Sequence, residues 1–260
     1  MSTTEALFEI DGAAAYLTFN RPHARNALTW VMYDALVDAC DRVDADDAVR
    51  VLVVRAAGDA FAAGTDISQF TGFASGDDGI AYERRLDAAI DRLERVRAPT
   101  IAQVHGVAAG GGCAIALACD LRVCTPAARF GVPIARTLGN CLSAANYARL
   151  VDLLGPARTK DLLFTGRFVD ASEAASLGLV TSLAEPDRIA DTVREIAARI
   201  ATHAPLTIRA TKEALRRIAE HRRIQSSLAD DLVAACYASA DFREGIDAFL
   251  SKRTPRFSGR

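Results

Sequence analysis

Residues 100–124 read TIAQVHGVAAGGGCAIALACDLRVC, and this stretch decides the fold class. Thr100–Val104 is a short apolar run that is typical of a buried strand. A glycine turn at 109–112 follows it and leads into an apolar segment of helical length that ends at Cys119, and Leu121–Cys124 is again strand-like. Strand, glycine turn, helix and strand in close succession predict an α/β core.

The same alternation continues toward the N-terminus. Leu7–Ile10 and Ala14–Phe19 predict two strands joined by a hairpin at Asp11-Gly12. Thr29 predicts the cap of a helix that runs to about Val43, and Val49–Arg55 predicts another buried strand.

Toward the C-terminus the pattern becomes helical. Phe70–Gly79 contains three glycines and two consecutive aspartates and predicts a mobile loop before a helix over Ala81–Val96. Gly155-Pro156 predicts the start of a helix that ends at Phe164, and Leu179–Leu183 predicts a last short strand. From Pro186 onward only helices are predicted. We therefore divide the chain into an α/β core over residues 1–200 and a helical region over residues 201–260.

Composition excludes several classes of protein. The chain has 260 residues, half of them hydrophobic, and a formal net charge of -2, so the basic excess of a nucleic-acid binder is absent. None of the 6 cysteines belongs to a zinc-spaced cluster, so no metal site is predicted, and buried reduced thiols are expected. The N-terminus lacks a secretory pattern and no apolar run would span a bilayer, so we expect a cytoplasmic protein without membrane contact.

Two glycine-bearing turns are candidates for chemistry. One is FAAGTDI at 61–67 and the other is GGGC at 110–113, which opens a helix. Glycine lets backbone N–H groups approach a ligand closely, and a helix N-terminus presents unpaired N–H groups with a partial positive charge. Such groups suit an oxyanion. The triple glycine matches neither a P-loop nor a dinucleotide fingerprint, and tight helix–strand packing explains it equally well.

Taken together, the motifs resemble those of the enoyl-CoA hydratase/isomerase (crotonase) superfamily. They are NRP (20–22) with NAL (26–28), AFAAGTDI (60–67), VHGVAAGGGC (104–113), ACDLR (118–122), FGVP (130–133), FTG (164–166) and TKEA (211–214). They occur in the family's order and cover essentially the whole chain. As a set they are specific for the family but do not distinguish one reaction from another.

The resemblance implies a spiral of ββα units with a C-terminal helical region that mediates trimer formation, as a homotrimer or a dimer of trimers. It also implies an acyl-CoA substrate, lyase or isomerase chemistry in fatty acid metabolism, and no cofactor beyond the coenzyme A of the substrate. The thioester oxygen would be held by the backbone N–H groups of Thr65 and Gly111. The family usually has alanine at the position of Thr65, a change that a backbone donor tolerates.

By the same resemblance, the adenine and pantetheine portions of coenzyme A should pass near one group of residues. These are Arg25, Ala27, Leu28, Ala63, Asp66, Ile67 and Gly110. Arg25 could neutralise a phosphate of coenzyme A or could be an ordinary solvated loop residue. Asp66 is more simply interpreted as a helix-capping residue than as a base.

The chain departs from the hydratase pattern at both acid/base positions. Hydratases of the family carry one glutamate directly after the GGGC turn and another after the proline of the FGxP turn. Here those positions hold Ala114 and Ile134, or Ala135 if one residue is inserted. Since neither alanine nor isoleucine transfers a proton, hydratase activity itself is doubtful.

Two functions remain open from the sequence. One is an enzyme that stabilises a thioester enolate with other acid/base residues, and the other is a catalytically inert acyl-CoA-binding protein. Candidate substitutes are Tyr82 and Glu83 and, beyond the FGxP turn, Arg136, Thr137, Asn140, Cys141 and Ser143. Asp170 and Glu173 flank a later helix start, and Glu173 is more simply an N-terminal helix acid. His105 is expected to be structural, and Cys141 lacks the base that a nucleophile needs.

Overall fold

The computed structural model describes residues 3–260. Met1 and Ser2, which belong to the N-terminal segment where no secretory pattern was expected, lie outside the described residues. The strands are β1 (Ala6–Asp11), β2 (Ala14–Phe19), β3 (Val51–Ala56), β4 (Thr100–Val104), β5 (Val107–Ala109), β6 (Leu121–Cys124), β7 (Arg129–Gly131), β8 (Phe168–Asp170) and β9 (Ser182–Leu183). The helices are α1 (Trp30–Ala45), α2 (Gly76–Arg95), α3 (Gly111–Ala118), α4 (Ile134–Thr137), α5 (Ala144–Thr165), α6 (Ala171–Ser176), α7 (Ile189–Ala201), α8 (Pro205–Arg222), α9 (Asp230–Tyr237) and α10 (Ala240–Leu250). Short 3₁₀ turns cover Pro22–Ala24, Ile67–Phe70 and Ser226–Ala229.

The main sheet has six strands in the order β1-β2-β3-β4-β6-β9. Only β1 and β2 are antiparallel neighbours; the remaining neighbouring strands of this sheet run parallel. Both faces of its centre are covered, which explains the continuous apolar runs of β3 and β4. On one face, Val53 and Ile101 pack with Val193 of α7, and on the other Leu52 and Val54 belong to the cluster that includes α1, α2 and α3.

A second, three-stranded sheet has the order β5-β7-β8. None of these strands was predicted, because each is only three residues long and too short for an alternating pattern. The sheet matters for the site because β5 leads directly into the glycine turn before α3, and β7 carries Gly131 of the FGxP turn.

The loop predicted over Phe70–Gly79 is shorter than expected, because the 3₁₀ turn extends to Phe70 and α2 already begins at Gly76. Ser75 and Asp78 form a reciprocal capping box at its start. The glycines there allow close helix packing: a Cβ on Gly76 would lie 2.7 Å from Ala234 of α9, and one on Gly79 would lie 2.2 Å from the Tyr237 ring. Because these two glycines lack side chains, α9 can pack closely against α2.

Two other boundaries differ from the sequence expectation. The helix expected from Gly155-Pro156 is the second half of α5, which is interrupted at Gly155 with φ +74°. The strand expected over Leu179–Leu183 is confined to Ser182–Leu183, because the Leu179 N–H bonds the Ala174 carbonyl in a tight turn. The division of the chain at residue 200 stays a prediction; α8, just beyond it, has no fully buried residue.

Within residues 3–260, no helix combines the length and apolar character needed to cross a bilayer. The cysteines are all free thiols, and five of them are buried as expected, whereas Cys236 is half-buried.

Candidate active site

The two glycine-bearing turns meet at one place in the fold. Ala62 of the first turn donates its N–H to the Val107 carbonyl at 3.0 Å, and its own carbonyl accepts from the Ala109 N–H at 2.9 Å. The Gly110 N–H donates to the Gly131 carbonyl at 2.9 Å, which adds the FGxP turn. Three motifs that are distant in sequence therefore converge at the N-terminus of α3.

The packing explanation for the glycine cluster holds for Gly112. A Cβ at this residue would lie 2.5 Å from the Ala62 Cβ, so only glycine lets α3 approach the first turn. Gly110 has φ +48° and ψ −119°, a backbone conformation that L side chains rarely adopt. Gly111 faces the Tyr33 hydroxyl, which would lie 2.2 Å from an added Cβ.

Thr65 and Gly111 each present an unpaired backbone N–H. A parallel bridge ties the first turn to Leu28, but it uses the Gly64 carbonyl and the Asp66 N–H, so the Thr65 N–H points away from it. Gly111 is the first residue of α3, where N–H groups have no partner inside the helix. Across residues 3–260, neither N–H has a protein acceptor.

These two residues are also neighbours in space. The Thr65 hydroxyl oxygen lies 3.2 Å from the position that a Gly111 Cβ would occupy. The predicted pair of oxyanion donors is thus brought together from the end of a loop and the start of a helix.

The segments predicted to contact coenzyme A lie side by side. The Ala63 N–H donates to the Arg25 carbonyl at 3.0 Å, and the Leu28 N–H donates to the Gly64 carbonyl at 2.7 Å. Leu28 is fully buried and Ile67 nearly so, whereas Arg25 and Ala63 are exposed. Any contact with a ligand at Leu28 or Ile67 would therefore involve mainly the backbone, while the Arg25 side chain is accessible.

Asp66 has the capping role that the sequence favoured. Its carboxylate accepts from the Ser68 N–H at 3.1 Å and pairs with the Arg21 guanidinium at 3.0 Å. Although partial burial opposes the shift, the hydrogen bonds from Ser68 and the Arg21 charge hold the pKa of Asp66 below its usual value. A carboxylate held ionised in this way is a poor proton donor.

A small cavity of about 30 Å³ opens beside the Gly110-Gly111 turn. It is mostly apolar, and it is lined by Ala114, Leu86, Leu117, Leu142 and Leu150. Ala114, the first of the two non-acidic positions, therefore faces this cavity, and among residues 3–260 no carboxylate lines the cavity in its place. Ile134, the second position, starts α4 and is half-buried against the core.

Asn146 and Arg149 contribute polar side chains to the cavity lining. Arg149 is 4% exposed and forms two hydrogen bonds with Glu94, at 2.9 and 2.8 Å. Its remaining terminal nitrogen donates to the Asn146 Oδ1 at 3.1 Å. Burial opposes ionisation of Glu94, but the Arg149 charge outweighs it and lowers the pKa of the carboxyl. The buried arginine is thus neutralised by a fixed partner.

Three hydroxyl groups form a chain beside the Gly111 turn. The Thr65 Oγ1 lies 2.7 Å from the Tyr82 hydroxyl and 3.2 Å from the Tyr33 hydroxyl. Both phenols are buried, and burial raises the pKa of each well above its ordinary value. Tyr82 was considered from the sequence, but Tyr33 was missed, since it resembles any apolar-face residue of α1.

Glu83 is the carboxyl group whose pKa is raised most in this region. It is 3% exposed and accepts hydrogen bonds from the Tyr237 hydroxyl at 2.7 Å and the Ser143 N–H at 3.0 Å. Burial, reinforced by the nearby Asp87, raises the pKa of Glu83 to about 7. A carboxyl that titrates near neutrality is suited to acid/base exchange.

Most other candidates have structural roles. The His105 Nε2 lies 3.0 Å from the Gly58 carbonyl, and burial lowers the pKa of this imidazole, which agrees with a structural histidine. Hydrogen bonds from Arg167 hold the pKa of Glu173 down, although burial opposes them. A hydrogen bond with Cys236, together with burial, raises the pKa of Cys141, so its thiol stays protonated. No group of three or more metal-ligating side chains occurs in the described part of the chain.

Comparison with known proteins agrees with this geometry. The profile of the enoyl-CoA hydratase/isomerase family matches residues 9–260. A probable enoyl-CoA hydratase of Rhizobium meliloti is 36% identical over 265 residues, with 100% of both chains covered. A crotonyl-CoA hydratase of Syntrophomonas wolfei is 33% identical, with 99% of both chains covered.

The fold is likewise similar to solved structures. A methylmalonyl-CoA decarboxylase complexed with 2S-carboxypropyl-CoA superposes with a TM-score of 0.91 at 27% identity, with both chains covered completely. The predicted crotonase-like α/β fold is confirmed, and so is the assignment to an enzyme family. The chain belongs to the enoyl-CoA hydratase/isomerase family.

Proposed function

We propose that this protein binds an acyl-CoA thioester and stabilises the enolate that forms when the thioester reacts at its α-carbon. The supporting observation is the pair of unpaired N–H groups at Thr65 and Gly111, adjacent to each other and beside an apolar cavity. The enolate oxygen would accept from both donors, and the acyl chain would enter the cavity. Removing one donor of this kind typically slows a reaction by ~10²–10³.

Coenzyme A itself would lie along the paired segments 25–28 and 63–66, with Gly110 beside its thioester end. The exposed Arg25 guanidinium is the candidate partner for a phosphate group. Leu28, Ile67 and the exposed Ala63 would line this path. We propose no separate cofactor or metal for the reaction.

Water addition is not the reaction that the site favours. A hydratase needs one group to deprotonate water and one to protonate the α-carbon, and each contributes about 10²–10⁴-fold. Ala114 faces the cavity where the first would be needed, and Ile134 offers no carboxylate for the second. The similarity to hydratases therefore supports the fold of this protein but not water addition as its reaction.

Decarboxylation of a 2-carboxyacyl-CoA is a second candidate, and the absent acid/base pair favours it. Here the bond between the α-carbon and the carboxylate breaks, carbon dioxide leaves, and the electron pair that remains forms the enolate. No base is required, and the α-carbon then takes a proton from solvent or a nearby acid. The similarity in fold to a methylmalonyl-CoA decarboxylase also supports this candidate.

One assay separates these reactions from inert binding. The purified protein is mixed with crotonyl-CoA, saturated acyl-CoAs and 2-carboxyacyl-CoAs, and each thioester is followed by mass spectrometry. Loss of carbon dioxide from a 2-carboxyacyl-CoA above the buffer rate supports decarboxylation. Binding without turnover across the whole panel would identify an inert acyl-CoA-binding protein instead, and efficient hydration of crotonyl-CoA would contradict the interpretation of Ala114 and Ile134.

We also propose self-association through the C-terminal helices, as a homotrimer or a dimer of trimers. Large apolar side chains are exposed there in one protomer: Leu206, Leu215, Ile218, Ile224, Leu228, Leu232, Phe249 and Leu250. A second copy of the chain would remove this apolar surface from water. Light scattering coupled to gel filtration should give a mass near three or six times 27.7 kDa; a monomer would contradict the proposal.

A further inference from the structure

We infer that the Thr65 side-chain hydroxyl is a third hydrogen-bond donor to the enolate oxygen, beside the backbone N–H groups of Thr65 and Gly111. The inference rests on the proposed function, because it needs an enolate at this site. It assigns a catalytic contact to a side chain at a position where the family resemblance implies alanine, which has no hydroxyl.

The first step is the position of the hydroxyl. The Thr65 Oγ1 lies 3.2 Å from the point where a Gly111 Cβ would be, so it is next to the residue that supplies the second backbone donor. It is attached to the residue that supplies the first. The N–H and O–H of one threonine can both reach a single acceptor, since they are separated by only two carbon atoms.

The second step concerns the direction of the protons. Tyr33 and Tyr82 are 1% and 6% exposed, and among residues 3–260 each phenolic hydroxyl has Thr65 Oγ1 as its hydrogen-bond partner. Buried donors in folded proteins are nearly always satisfied. Both phenols therefore donate to the Thr65 oxygen, and together they occupy its two lone pairs.

The third step follows from the number of hydrogen bonds that a hydroxyl group can accept and donate. A threonine hydroxyl accepts two hydrogen bonds and donates one. With both lone pairs occupied by phenols, the Thr65 proton cannot be accepted by either tyrosine. No other described residue accepts it, and Thr65 is the only half-buried member of the three. Its proton is thus available to a ligand beside Gly111.

The two tyrosines also make this donor stronger. Burial keeps both phenols protonated, because it raises the pKa of Tyr33 and of Tyr82. A hydroxyl that accepts two hydrogen bonds is polarised and donates its own more strongly. The bond it donates is worth most to a charged acceptor, so it should favour the enolate over the neutral thioester.

The test compares binding of two ligands of the same size. One is propionyl-CoA, which carries a neutral thioester, and the other is its 2-nitronate analogue, which carries the negative charge of an enolate. Calorimetry gives both dissociation constants without requiring turnover. In Thr65→Val we expect the nitronate to bind about 10–100-fold more weakly, the loss of one charge-assisted hydrogen bond, whereas propionyl-CoA binding changes by less than about 3-fold. Thr65→Ser should restore nitronate affinity.

Valine at this position would leave two buried phenols unpaired and could impair folding for that reason alone. The decisive pair is therefore Tyr33→Phe/Tyr82→Phe with and without Thr65→Val, since neither variant contains an unpaired phenol. A selective loss of nitronate affinity on adding Thr65→Val supports the inference, and equal affinities overturn it. Wild-type protein that does not prefer the nitronate would instead overturn the proposed function.

Discussion

The Tyr237 phenol of α9 donates a hydrogen bond of 2.7 Å to the Glu83 carboxylate of α2. The carboxylate also accepts from the Ser143 N–H, so one buried acid joins α2, α9 and the N-terminus of α5. Burial raises the pKa of Glu83 to about 7, and this shift links the stability of the protein to pH.

Glu83→Gln should change the pH dependence of unfolding. An unfolded glutamate ionises near 4.5, whereas folded Glu83 keeps its proton to about 7. Between these values the folded state binds a proton that the unfolded state has lost, so the free energy of unfolding falls as pH rises. Glutamine removes this fall, which amounts to about 3 kcal/mol at pH 8.

Urea denaturation between pH 4.5 and 8 measures this effect, with the exposed Glu195→Gln as control. The free energies of unfolding of the wild type and of Glu195→Gln should fall together as pH rises. The free energy of unfolding of Glu83→Gln should lack the part of this fall that comes from Glu83. Parallel curves for all three proteins would show that Glu83 titrates at an ordinary pKa.

Gly111→Ala should disable the oxyanion site. The new Cβ would meet the Tyr33 hydroxyl at 2.2 Å, so the turn must shift and misalign the Gly111 N–H. We expect the dissociation constant for the nitronate analogue to rise about 10²-fold, the effect of losing one donor. Gly72→Ala is the matched control, because a Cβ there meets nothing within 4 Å. Unchanged nitronate binding in Gly111→Ala would place the oxyanion elsewhere.

Arg149→Met should destabilise the fold. It leaves the half-buried Glu94 without its two-bond partner, although Arg223 remains 3.2 Å away. Breaking a buried pair from one side costs about 3–5 kcal/mol, and the remaining arginine favours the lower end. The exposed Arg188→Met, which breaks a pair with Asp191, should cost less than about 1 kcal/mol. Similar denaturation midpoints for the two variants would indicate that Glu94 is neutralised by Arg223 alone.

Installing the two absent glutamates should create hydration activity. Ala114→Glu places a carboxylate at the cavity wall, and Ile134→Glu places the second at the start of α4. With both present, crotonyl-CoA hydration should rise at least about 10²-fold, measured as loss of enoyl absorbance. Ala114→Glu alone is the control and should give a smaller gain. A folded double variant that binds crotonyl-CoA without hydrating it would contradict the alignment of these positions with the hydratase glutamates.

Much of this architecture could be predicted from local sequence patterns. The hairpin, the buried parallel strands and the capped helix α1 are specified by short-range features such as Asp11-Gly12 and Thr29, whose side chain caps α1 by accepting from the Met32 N–H. The glycine turns indicated backbone donors because a residue without a side chain lets backbone N–H groups approach a ligand closely. The order of motifs then indicated the family.

The rest depends on contacts between distant segments. Gly76 and Gly79 look like loop residues in sequence. They are instead helix residues that pack against Ala234 and Tyr237, more than 150 positions away. The three-residue strands of the second sheet exist because neighbouring strands complete their hydrogen bonds. Likewise, nothing around Tyr33 indicates that its hydroxyl would reach Thr65, 32 positions later.

The most direct test of the account compares propionyl-CoA with its 2-nitronate analogue as ligands of the wild-type protein. Analogues of a transition state bind at least ~10²-fold more tightly than substrates when a site is built for the developing charge. We predict a preference of at least that size for the nitronate, measured by isothermal titration calorimetry. Equal affinities for the two ligands, or no binding of either, would contradict the proposal that Thr65 and Gly111 stabilise a thioester enolate.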